Sequence, residues 1–239
     1  MNDSDISLAD ARALVASPLW PRIRAFLWDF ASQIDEGRFE EAGVAQSQQS
    51  QQDEKNSLTL RERNSPRVRS WVLRNLGVAP VFHAFPATDG SRFLLLSSED
   101  YGRLAMFIGV VAFARALRLV TLGAEVRALK SAIPDYRETL SFSAYFHRFA
   151  ALFERFAPEG ASANPAAVAA AGHGVLAAAL SSLPAPLLLR QRLRFPAGSP
   201  ADVALVGASA PSDHQEEAAQ AALLALKLSN PQEYSLCFS

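Results

Sequence analysis

Apolar residues recur at intervals of three and four along most of this chain, which is the spacing of one face of an α-helix. Trp20, Ile23, Phe26, Leu27, Phe30 and Ile34 form the first long stripe, with Arg22, Arg24, Asp29 and Gln33 largely on the other side. Pro21 suits the first turn of that helix, and a shorter helix precedes it over residues 8–16. Val68, Trp71, Val72 and Leu76 make a second stripe between Ser65-Pro66, a cap and first turn, and Gly77, a stop signal. Residues 104–114 (LAMFIGVVAFA) are apolar nearly all round and predict the central buried helix, started by Ser97 with Asp100.

The pattern continues toward the C-terminus. Gly123 opens a helix that stops at Pro134, with Val126, Leu129 and Ile133 on one face. Tyr145, Phe146, Phe149, Leu152, Phe153 and Phe156 make an aromatic stripe over 142–156 that reads as core. Asn164-Pro165 starts an alanine-rich helix running to about residue 183. Gly172-His173-Gly174 interrupts it and predicts a kink or a tight helix crossing, since each glycine costs about 1 kcal/mol in a helix. A short helix over 187–195 carries Arg190, Arg192 and Arg194, and the last long helix begins at Ser212 or Asp213. The tail from 231, with Tyr234, Leu236, Cys237 and Phe238, is expected to pack back onto the core.

Three stretches break the helical period. Residues 43–57 (GVAQSQQSQQDEKNS) have almost nothing to bury and read as a loop or linker. In 78–97, Asp89-Gly90 lies between two apolar runs and allows one short β-hairpin. Residues 196–211, small and proline-bearing, read as a loop. The fold class is mainly α, one large multi-helix domain. Its organisation is an N-terminal helical segment over 1–42, a Gln/Ser-rich linker over 43–60 and the main domain over 61–239.

Composition narrows the function. The chain has 239 residues, 49% hydrophobic, with mean hydropathy +0.06. That is enough to bury a substantial core, and a little oily for a chain that works alone. Its 23 basic and 24 acidic side chains give a net charge of −1, without the basic excess of a general nucleic-acid binder. One cysteine cannot close an internal disulfide, and four scattered histidines offer no metal cluster. The acidic N-terminus does not read as a secretory signal. Residues 104–114 rise only about 16 Å as a helix, roughly half a bilayer core. These features predict a cytoplasmic protein without direct membrane insertion.

Candidate chemistry is sparse. There is no phosphate-cradling glycine motif, no H-E-x-x-H and no C-x-x-C. Gly207-Ala-Ser-Ala-Pro211 lacks the second glycine of a nucleophile elbow. No catalytic residue, cofactor site or metal site is predicted. The one marked feature is basic: Arg61, Arg63, Arg67, Arg69 and Arg74 against Glu62 give a local charge of +4. These five arginines are the candidate partner-binding residues, with the acidic Asp213, Glu216, Glu217 and Glu233 as a second candidate patch. An alternative reading is a helical small-molecule or lipid-binding protein, with the aromatic stripe as a pocket wall.

The run WVLRNLGVAP at 71–80, the buried helix after it, and ALRLVTLGAEVRALKSAIP at 116–134 resemble the SctK family of bacterial type III secretion proteins. LPAPL at 183–187 and the closing Cys-Phe-Ser fit the same pattern, closest to the Hrp-type and related rhizobial or burkholderial forms. The resemblance covers roughly 65–239. It implies a cytoplasmic sorting-platform subunit beneath the injectisome, of a virulence-type secretion system, with no catalytic residues to carry over. The partners it implies are an SctD-like inner-membrane ring protein, SctQ-like pods and an SctL-like stator.

Overall fold

The computed structural model describes residues 16–35, 37–38, 65, 74–78, 88–120, 123–133, 135–208 and 213–238, and every regular element among them is helical. In chain order these are α1 (Trp20–Leu27), a 3-10 turn (Phe30–Gln33), α2 (Asp89–Arg92), a 3-10 turn (Phe93–Leu95), α3 (Ser98–Ala112), α4 (Ala114–Leu119), α5 (Gly123–Ala132) and α6 (Tyr136–Ser141). A 3-10 stretch (Phe142–Phe149) then leads into α7 (Ala150–Phe156), followed by α8 (Pro165–Leu180), α9 (Ala185–Leu193), α10 (Pro200–Gly207), α11 (Gln215–Ser229) and α12 (Pro231–Phe238).

Two helices form the centre. Ser97 caps α3 by accepting from the Asp100 N–H, and Glu99 and Asp100 face the positive end of the helix dipole. Asn164 caps α8 by accepting from the Ala167 N–H, with Pro165 in the first turn. Their faces meet in the most extensive helix contact of the molecule, and α8 also packs on α10 and α11. The two backbones approach through glycine. A Cβ on Gly172 would overlap the Ala105 carbonyl oxygen, and one on Gly109 would overlap that of Val168. The Gly172-His173-Gly174 sequence is thus a tight crossing, and the helix runs uninterrupted through it.

The main core joins α1, α3, the aromatic stripe, α8 to α10 and α11. A smaller cluster of Val110, Phe113, Leu117, Leu129, Ile133 and Tyr136 closes under α5 and α6. Ile23, Phe26, Leu27, Phe30 and Ile34 are all buried, so the first stripe docks as its spacing predicts. Residues 43–60 lie outside the described residues, as do 1–15.

Three buried arginines tie helix ends together. Arg190 donates through Nη1 to the carbonyls of Phe26 and Leu27, where α1 ends. Arg194 donates to the carbonyls of Leu94 and Leu96 and to Gln191. Arg38 donates through Nε to the carbonyl of Phe195, beyond α9, and pairs with Asp202 on α10. Each cation meets the carbonyl-rich, negative end of a helical segment, which offsets much of the cost of burying it. Arg194 is lowered by burial to about 10, partly opposed by Tyr101, and stays charged at neutral pH.

Two readings are corrected. Asp89-Gly90 does not turn a β-hairpin: Thr88 accepts from the Ser91 N–H and starts α2 instead, and the apolar run 93–96 enters the core as a 3-10 turn. No strand occurs among the described residues. The expected loop over 196–211 contains α10, capped by Ser199, which accepts from the Asp202 N–H. Ser199-Pro200 followed by Asp202 is the same cap-and-first-turn signature that marks the other helices.

Candidate docking site

The sequence-predicted residues divide sharply. Arg61, Arg63, Arg67 and Arg69 lie outside the described residues. Arg74 is exposed in a helical turn that Gly77 ends with φ +66°. The acidic patch is partly consumed inside the molecule. Glu233 forms a two-pronged ion pair with Arg22, and Glu217 contacts His214 at 3.3 Å, while Asp213 and Glu216 are exposed.

The aromatic stripe is core, as its spacing predicts: Phe146, Phe149, Leu152 and Phe153 are buried and Tyr145 alone is largely in water. His173 stacks on Tyr101 at 5.9 Å and meets Phe195 edge-on at 6.3 Å. Its Nδ1 has no hydrogen-bond partner among the described residues, and burial pushes its pKa down to about 4. Cys237 is buried and its thiol is pushed up by that burial, which suppresses the reactive thiolate. No group of three or more potential metal ligands occurs among the described residues.

Two of these groups predict the acid response. His173 folds neutral, with a pKa below its ordinary 6.5, so the stability it brings is full above about pH 6.5 and falls as pH drops toward 4. Asp202 is raised by burial. Hydrogen bonds from Arg192 and the Gly198 N–H, with the charges of Arg38 and Arg192, outweigh that and hold it below the usual carboxylate range. Its contribution is present above the ordinary carboxylate pKa and lost below it. Urea midpoints are expected to hold from pH 7.5 to about 6.5 and to fall from there to 4.5, and His173→Phe is expected to flatten that fall. Equal midpoints across that range would contradict this assignment.

What the structure adds is a groove of about 910 Å³ between α4 with the end of α3 on one side and the segment 143–163 on the other. Val111, Phe146 and Phe153 contribute to its floor, and its depth comes from alanines on both walls, among them Ala114, Ala144, Ala150 and Ala157. Arg118 donates through Nη2 to the Ser143 Oγ at 2.6 Å. Arg115 pairs with Glu159 at 2.7 Å, and both side chains are mostly in water, so the pair is readily exchanged. His147 shares its Nδ1 with the Ala144 carbonyl at 3.0 Å. Leu119 lines the groove 74% exposed, and Tyr145 stands nearby in sequence at 61%.

The sequence signal for this groove was present but faint. On the segment carrying the aromatic stripe, the opposite positions are Ala144, His147, Ala150, Ala151 and Glu154. That is a helical face with no large apolar side chain.

The model of the family described as YOP proteins translocation protein K (YscK) matches residues 15–238. Neither the curated proteins nor the solved structures gave a match.

Proposed function

We propose, from the premise that this chain belongs to the YscK family of type III secretion proteins, that it is a structural adaptor of the secretion apparatus. In this reading it sits at the cytoplasmic side as a sorting-platform subunit. It links the cytoplasmic part of an SctD-like inner-membrane ring protein to SctQ-like pods, with an SctL-like stator as a further neighbour. The carrying observation is the extent of the family match, which spans nearly the whole chain. The absence of a membrane-crossing helix among the described residues is consistent with attachment through partners.

The test is co-purification of the full chain with the ring protein's cytoplasmic domain and with the pod protein of the same system. Capture of both in one complex is expected, and capture of neither refutes the adaptor role. The cluster Arg61, Arg63, Arg67, Arg69 and Arg74 is a proposed docking surface for an acidic partner face. Charge reversal at Arg67 and Arg69 is expected to weaken capture of one partner about tenfold without moving the thermal midpoint. Unchanged capture would remove this cluster from the interface.

A second reading is favoured by one observation, the groove with Phe146 and Phe153 among its lining residues. Its volume lies in the range of small-molecule pockets. Native mass spectrometry decides it: a bound apolar ligand retained through purification would favour a ligand-binding protein.

A further inference from the structure

We propose that the groove between α4 and the segment 143–163 seats an amphipathic helix of a partner protein, one that offers branched aliphatic side chains to the floor and a carboxylate to Arg118. This inference deepens the adaptor reading and rests on it.

Shape is the first argument. One wall is helical and the other is helical as far as Phe156 before it turns away, and alanines on each leave a trough into which the side-chain ridge of a third helix fits. Leu119, a large aliphatic residue at 74% exposure, lies beside an apolar floor, an arrangement that a covering helix resolves.

Charge is the second argument, and it fixes the partner's chemistry. The Ser143 hydroxyl holds Arg118 in place, and Arg118 has no carboxylate within ion-pairing distance among the described residues. His147 lies one turn from Ser143 on the same wall. Toward the other end Glu154 has no cation among the described residues, while Glu159 is satisfied by Arg115. Glu125 also lines the groove, with no ion pair among the described residues. The trough thus has a cationic end held in position and an anionic remainder. A helix with an acid over Arg118 and a base toward Glu154 matches both and can enter in only one direction.

A second copy of this chain fits less well. Among the described residues its exposed apolar helix face is on α10, where Val203 and Val206 are exposed. The only carboxylate on α10, Asp202, is buried between Arg38 and Arg192 and cannot reach Arg118.

The experiment compares four full-length chains, wild type, Ala150→Trp, Ala151→Trp and Arg118→Glu, in capture of the SctD-like cytoplasmic domain and of the SctQ-like protein. Ala150 and Ala151 are both exposed, and Ala150 alone lines the groove. Ala150→Trp and Arg118→Glu are expected to cut capture of the same one partner at least tenfold and to spare the other. Ala151→Trp is expected to leave both unchanged, and all thermal midpoints are expected to match. Undiminished capture by both groove variants would overturn the site while leaving the adaptor reading intact. Wild-type capture of neither partner overturns the adaptor reading and this site with it. If the groove variants instead abolish self-association measured by light scattering, the occupant is a second copy and the proposal fails.

Discussion

Gly172→Ala is expected to lower the thermal midpoint by roughly 6–12 °C. The added methyl would overlap the Ala105 backbone carbonyl, with the Gly109 nitrogen close behind. No side chain can swing aside there, so the helices α3 and α8 themselves must part. Overpacking of this kind costs about 3 kcal/mol, and about 2–4 °C is lost per kcal/mol in a chain of this size. Gly109→Ala meets the Val168 carbonyl and should act likewise. Gly102→Ala is the control on the same helix α3. A Cβ there meets nothing within 4 Å, so relief of glycine's helix penalty should stabilise by up to about 1 kcal/mol. If all three variants shifted the midpoint alike, the close crossing would not be what holds the centre together.

Asp202→Ala is expected to cost about 3–5 kcal/mol, the usual penalty for removing one partner of a buried ion pair. Asp202 is the buried carboxylate that serves both Arg38 and Arg192, and it also accepts from the Gly198 N–H. Its loss removes the carboxylate paired with Arg38, whose side chain is 5% exposed. It also loosens the segment 35–38 from the end of α9, where the Asp35 N–H donates to the Leu193 carbonyl. Urea unfolding measures the loss. A double variant, Asp202→Ala with Arg38→Met, should recover part of it, because the buried cation that Asp202 faced goes too. A fall below 1 kcal/mol in the single variant would mean that the pair is solvated rather than buried.

Much of this architecture was readable from residue order alone. Caps at Ser97 and Asn164, the stop at Gly77 and the three-and-four stripes are local signals, and they place α1, α3, α5, α8 and α11 within a few residues. The glycine pair around His173 predicted a kink or a tight crossing, and the crossing is found at Gly172, where the Ala105 carbonyl comes close. What escaped was non-local. Arg190, Arg192 and Arg194 stand in sequence as arginines on one short helix with nothing to signal burial, yet Arg190 and Arg194 are buried, because their partners are carbonyls and side chains contributed largely by distant segments. The hairpin expectation failed because Asp-Gly is also compatible with a helix start when a capping threonine precedes it. The groove was hidden for a related reason. Its walls are 25 residues apart at the Arg118–Ser143 contact, and alanines announce nothing by themselves.

The order in which ribosomes deliver this chain has its own consequence. The buried apolar face of α1 is made early, while Arg190, Asp202 and Glu233, which fasten α1 and the residues after it, are made near the end. The Arg22–Glu233 contact closes a separation of 211 residues, which at ordinary bacterial translation speeds is about 10–40 s of synthesis. During that interval Ile23, Phe26 and Phe30 lack the part of the core that α9 to α12 supply. Nascent chains stalled before residue 190 should therefore bind a ribosome-associated chaperone through this early segment and release it once α12 emerges.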